Sequence, residues 1–112
     1  MTDLLTHQEY LAIAEKIDYP RAGFIDGKFR AGTGSPLRSI NPATGQEIAT
    51  IAACSADDVD LAVRKAREAF NEGHWSKQHP SARKAVLIRL CKLLTRNRRE
   101  LAVMESVESG KP

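Results

Sequence analysis

The sequence predicts a mixed α/β chain: a short helix, two β-hairpins, then three helices. Three observations predict it. Asp26-Gly27 sits between two short apolar runs, Phe24-Ile25 and Lys28-Phe29-Arg30, and this dipeptide suits a two-residue turn with positive φ. Asn41-Pro42-Ala43-Thr44-Gly45 separates two further strand-like runs; Pro presets φ, Asn bonds its own backbone, and Gly permits the left-handed region. From Ser55 onward the apolar residues change to helical spacing.

The first element is a helix opened by Thr6-His7-Gln8-Glu9, the pattern of a capping box. Tyr10, Ile13, Ala14 and Ile17 recur at helical spacing, and Asp18-Tyr19-Pro20 ends the run because a residue before proline avoids the helical region. The hairpins follow over residues 23–52, with strands at Leu37–Ile40 and Gln46–Ala52 in the second. The Gly/Ser/Pro-rich stretch Ala31–Pro36 reads as a flexible connector.

Three helices fill residues 55–109. Ser55 caps the first, with Asp57 and Asp58 at the positive end of its dipole and Val59, Ala62, Val63, Ala66 and Phe70 along one stripe. Asn71-Glu72-Gly73 stops it. Pro80 fits the first turn of the second helix, whose Val86, Leu87, Leu90, Leu93 and Leu94 form a broad apolar face widened by Ile88 and Cys91. A helix this apolar needs cover on more than one side. Asn97-Arg98-Arg99-Glu100 looks like a new cap, and Leu101, Met104 and Val107 line a last helix stopped by Gly110 and Pro112.

Composition places the chain among ordered proteins. Of its 112 residues 42% are hydrophobic and 28% charged, which does not describe a disordered segment. The formal charge of +3 is mild but uneven: Arg83, Lys84, Arg89, Lys92, Arg96, Arg98 and Arg99 fall in a stretch without an acid until Glu100. A solvated helix face is the simplest reading of that run, and phosphate or an acidic surface is the sharper one. No apolar run is long enough to span a bilayer and no secretory signal opens the chain, so a reduced, cytoplasmic setting is expected.

Few residues carry chemistry of their own. Cys54 and Cys91 lack metal-ligand spacing, and both read as structural cysteines, Cys91 buried in an apolar site. His74 and His79, five apart around Trp75, have no further donors nearby and read as capping or surface residues. Gly32-Thr33-Gly34 lacks the lysine and hydroxyl of a phosphate loop and the setting of a dinucleotide fingerprint.

The order of motifs is more specific than any one of them. Phe24-Ile25-Asp26-Gly27-Lys28-Phe29, Ile40-Asn41-Pro42-Ala43-Thr44-Gly45 and Ala62-Val63-Arg64-Lys65-Ala66-Arg67-Glu68-Ala69-Phe70 follow one another. Trp75-Ser76, Pro80-Ser81-Ala82-Arg83, Leu90 to Leu94, Arg99-Glu100-Leu101-Ala102 and Glu108-Ser109-Gly110-Lys111-Pro112 complete the series. Over residues 22–112 this resembles the N-terminal part of the aldehyde dehydrogenase superfamily. Arg83-Lys84-Ala85-Val86-Leu87 and the long leader are most similar to enzymes that oxidise γ-glutamyl-γ-aminobutyraldehyde in putrescine breakdown.

The resemblance implies a leader helix over residues 1–21 and an incomplete Rossmann-like coenzyme-binding domain over 22–112. It implies a parent enzyme, a cytoplasmic homo-oligomer, that uses NAD or NADP to oxidise an aldehyde to a carboxylic acid. In that family the catalytic cysteine, the general-base glutamate and the dinucleotide site come later than residue 112. No residue here is therefore expected to be catalytic or to bind cofactor, and the segment alone is expected to be inactive and to need the rest of the parent as its partner. One family site carries over in part: a structural monovalent cation held by the carbonyl before the Asn-Pro turn, Ile40, and a carboxylate before Gly-Lys-Pro, Glu108. The family often has Asp-Asn/Thr where this chain has Glu108-Ser109, and a third ligand would lie beyond residue 112. The alternative reading is a small helical interaction or nucleic-acid-binding module using the basic stretch 83–99, a partner class the two hairpins argue against.

Overall fold

A computed structural model describes residues 4–112. The chain runs α1 (His7–Ala14), β1 (Gly23–Ile25), β2 (Lys28–Arg30), β3 (Pro36–Ile40), β4 (Glu47–Ala52), α2 (Ala56–Glu72), α3 (Pro80–Arg96) and α4 (Arg98–Ser109). Each hairpin is its own two-stranded antiparallel sheet.

Local chemistry sets most boundaries. Thr6 and Glu9 close the capping box of α1, with the Thr6 amide donating to Glu9 Oε2 at 2.8 Å. The helix ends at Ala14, about one turn before the Asp18-Tyr19-Pro20 stop expected from sequence. At the first turn Asp26 and Gly27 both take positive φ, 54° and 71°, which matches the right-handed twist of the flanking strands. Phe24 and Phe29 face each other across β1–β2 edge to face, ring centroids 5.1 Å apart. In the second turn the Ala43 amide donates to Asn41 Oδ1 at 2.9 Å and Gly45 adopts φ 71°.

The connector between the hairpins is held, not flexible as its composition suggests. The Gly34 amide donates to the Ala53 carbonyl at 2.8 Å, and the Ala53 amide returns a bond to Ser35. A Cβ on Gly32 would drive into the Ala53 carbonyl, so only glycine allows this approach. The Thr33 amide and hydroxyl both donate to Asp58 Oδ2 at 2.8 Å, tying the connector to the start of α2.

Hairpin β1–β2 lies on α2, α1 lies on α4, and α3 leans on α4. The result is a broad slab, 48 × 41 × 19 Å, with a radius of gyration of 17.9 Å. A compact chain of this length would have a radius of roughly 13 Å. The accessible surface is 9065 Å², against roughly 6,100 Å² for a compact protein of this mass. Ala49 and Val103 are the buried hydrophobic residues among those described. Helix α3 keeps Leu87, Leu90, Leu93 and Leu94 about half exposed, and Phe70 on α2 is 60% exposed. Cys91 is exposed too, contrary to the buried site read from its apolar neighbours, because among the described residues no element covers that side of α3, where Ile88 is also exposed.

Candidate functional site

Ile40 ends β3 opposite Glu47, at an irregularity in the β3–β4 register. The following Asn41-Pro42 turn reaches the far end of the chain. A Cβ on Gly110 would lie 3.0 Å from Pro42 Cγ. Gly110 is the left-handed cap of α4, φ 75°, immediately after the turn that carries Glu108. The leader joins the same corner: burial pushes the Tyr19 phenol above its ordinary pKa, and the nearby Glu108 carboxylate adds to the shift. Thus Tyr19, the turn after Ile40, and Glu108 converge from three segments far apart in sequence.

The donor chemistry of this corner suits a hard cation. A backbone carbonyl and a carboxylate are both oxygen ligands. Glu105 is the neighbouring acid on α4, and its carboxylate is already engaged by Lys111 Nζ at 3.0 Å, which holds its pKa below the usual range together with the bond from Ser109. Among the described residues no group of three or more His, Cys, Asp and Glu side chains is arranged as a metal site.

The remaining candidates separate in space and take structural parts. His79 is the N-cap of α3, its Nδ1 accepting from the Ser81 amide at 3.3 Å. His74 Nε2 lies 2.6 Å from Glu72 Oε2 on the surface. Cys54 is exposed, with its Sγ close beside Gly23 at the start of β1. Neither cysteine has a histidine partner at hydrogen-bond distance among the described contacts, so no nucleophile–base pair forms around either. Asn97 occupies the start of α4 but does not cap it; its side-chain amide donates backward to the Leu93 carbonyl at 2.9 Å.

Asp58 is a heavily bonded carboxylate, and its long-range half escaped the sequence reading. Besides closing the Ser55 capping box it accepts from both Thr33 donors, and these bonds drive its pKa far below the carboxylate range. No local pattern announces a partner 25 residues upstream.

A slab of paired hairpins and apolar helices, with its Asn-Pro turn seated on a Gly-Lys-Pro end, is an assembly of scaffold parts. The chain belongs to the aldehyde dehydrogenase family, whose pattern it matches over residues 29–112. It is 53% identical to the aminoacetaldehyde dehydrogenase of Pseudomonas aeruginosa over the whole chain, which corresponds to 23% of that relative. It superposes on the crystal structure of an indole-3-acetaldehyde dehydrogenase with TM-score 0.91 and 37% identity, over 97% of this chain and 25% of that one. The γ-glutamyl-γ-aminobutyraldehyde dehydrogenase of Burkholderia cenocepacia gives TM-score 0.87 and 35% identity, over 92% of this chain and 21% of that one. The chain thus spans about a quarter or less of these relatives' length.

Proposed function

We propose that these residues are the opening scaffold of an NAD(P)-dependent aldehyde dehydrogenase that oxidises an amino- or γ-glutamylamino-aldehyde to its carboxylic acid. The observation that carries this reading is the close superposition on about a quarter of dehydrogenase chains, made by a slab whose apolar helix faces stand uncovered. The names of two similar proteins, an aminoacetaldehyde and a γ-glutamyl-γ-aminobutyraldehyde dehydrogenase, support the substrate class, and the reading places the parent in putrescine breakdown. A related indole-3-acetaldehyde dehydrogenase has been crystallised with NAD+, which supports the coenzyme.

In this reading residues 1–21 are a leader and 22–112 the early part of the coenzyme-binding domain, and the parent is a cytoplasmic homo-oligomer. The nicotinamide, when bound, accepts the hydride. This chain's residues neither touch it nor supply the nucleophile; they build one wall of the domain that positions it. Ile40 and Glu108 would hold part of a structural monovalent cation site, fixing the β3–β4 turn to the end of α4.

The test is an assay of the full-length enzyme and of the 112-residue chain with NAD and NADP against amino-, γ-glutamylamino- and simple alkyl aldehydes. Turnover confined to the full-length enzyme, with preference for the nitrogen-bearing aldehydes, is expected. Turnover by the pure 112-residue chain would refute the placement of the chemistry elsewhere, and preference for alkyl aldehydes would refute the substrate class.

A further inference from the structure

Helix α2 carries an uncovered apolar face of a different kind from that of α3. Its half-buried residues, Leu61, Ala62, Lys65 and Glu68, lie on one side, while Val59, Val63, Ala66 and Phe70 stand exposed on another. Steps of four, three and four residues keep these last four in one narrow stripe. A stripe that narrow has the form of a helix-pair seam, whereas the broad α3 arc suits burial against several neighbours. Val63, Ala66, Arg67 and Phe70 line an open hollow of about 450 Å³, in which Ala66 is the smallest residue.

We propose that this stripe is a contact between two copies of the chain, their α2 helices antiparallel about a two-fold axis near Arg64-Lys65. The charges beside the stripe favour a second copy as the occupant. Asp60 and Arg67 sit on the same flank of it, two helical turns apart and toward opposite ends. Among the described residues Asp60 has no ion-pair partner. Arg67 lies over the Phe70 ring, 5.7 Å from its centroid, and so stands at the edge of the stripe. An antiparallel copy brings each Asp60 beside the Arg67 of the other, forming two equivalent pairs, and a parallel copy forms neither. The same register sets Val59 against Phe70 of the other copy and Val63 into the hollow at Ala66. A single helix pair is smaller than a standard interface, so the association is weak and depends on concentration. This contact gives the homo-oligomer proposed above a named surface. It rests on none of the aldehyde chemistry, so its failure would leave that chemistry standing.

The experiment is sedimentation equilibrium of the 112-residue chain over a range of concentrations. A reversible monomer–dimer equilibrium is expected. Asp60→Arg alone and Arg67→Asp alone should each weaken it about ten-fold, because each sets like charges together at two places. The chain carrying both exchanges restores the opposite pairs and should return to within about three-fold of the unaltered chain. Neither a folding defect nor unspecific clustering of the α3 leucines would produce that recovery. A monomer at every concentration would overturn the proposal. So would a dimer that the single exchanges leave unaltered, or a double variant as weak as the single ones.

Discussion

Asp58 shows how one carboxylate can join distant parts of a chain. Its Oδ2 receives the Thr33 amide, the Thr33 hydroxyl and the Ser55 amide, each at 2.8 Å. The folded carboxyl is therefore far more acidic than an unfolded one. A depressed folded pKa contributes stability above the unfolded carboxylate pKa of about 4, and this contribution is lost as pH falls toward the folded value. Asp58→Asn should lower the melting temperature of the full-length enzyme at pH 7 by more than Asp57→Asn does, and the gap between Asp58→Asn and the parent should narrow below about pH 4. Thermal melts across pH check it; a gap that stays constant into acid would contradict the role given to the ionised form. In the sequence Ser55 is legible as the cap and Asp58 as an acid at the positive end of the helix dipole; the bond between them, spanning three residues, is what the structure adds. The Thr33 half was not visible, because it depends on the path of a connector whose glycines suggested freedom.

At the scale of elements, turn and cap chemistry made the two hairpins and three later helices legible almost to the residue. Asp26-Gly27, Gly73 and Gly110 take the positive φ that their positions require. Errors fall where a tertiary neighbour decides. Helix α1 stops early, and Asn97 bonds backward instead of capping. Cys91 and the leucines of α3 carry the pattern of buried residues yet stand exposed. A hydrophobic pattern reports what a face was shaped to meet, not whether that partner lies within these residues. Leu90→Ala separates the two cases. In the 112-residue chain it should change stability by less than about 0.5 kcal/mol, as at an exposed site. In the full-length enzyme it should cost about 2–5 kcal/mol, as at a packed core site. Denaturant melts of both proteins give the comparison; equal small effects would contradict the assignment of this face.

For the whole molecule, surface area is the telling quantity. The chain exposes 9065 Å², roughly 3,000 Å² more than a compact protein of its mass. A standard protein interface covers only about 800 Å² per partner. One ordinary dimer contact would leave most of the excess uncovered, whereas the body of a chain four times longer could cover it. Pro42 and Gly110 lie 68 residues apart in sequence and meet in space, where a Cβ on Gly110 would lie 3.0 Å from Pro42 Cγ. Sequence resemblance brought Ile40 and Glu108 forward, while the nearness of Tyr19 to Glu108 needed the folded leader. Among the described residues no helix is long and apolar enough to cross a membrane.

Hydrogen exchange along α3 tests that claim most directly. Backbone amides of residues 84–96 should exchange rapidly in the 112-residue chain and be protected by several orders of magnitude more in the full-length dehydrogenase. Equal protection of α3 in both, with the short chain monomeric, would show that the helix needs nothing further and would contradict the account.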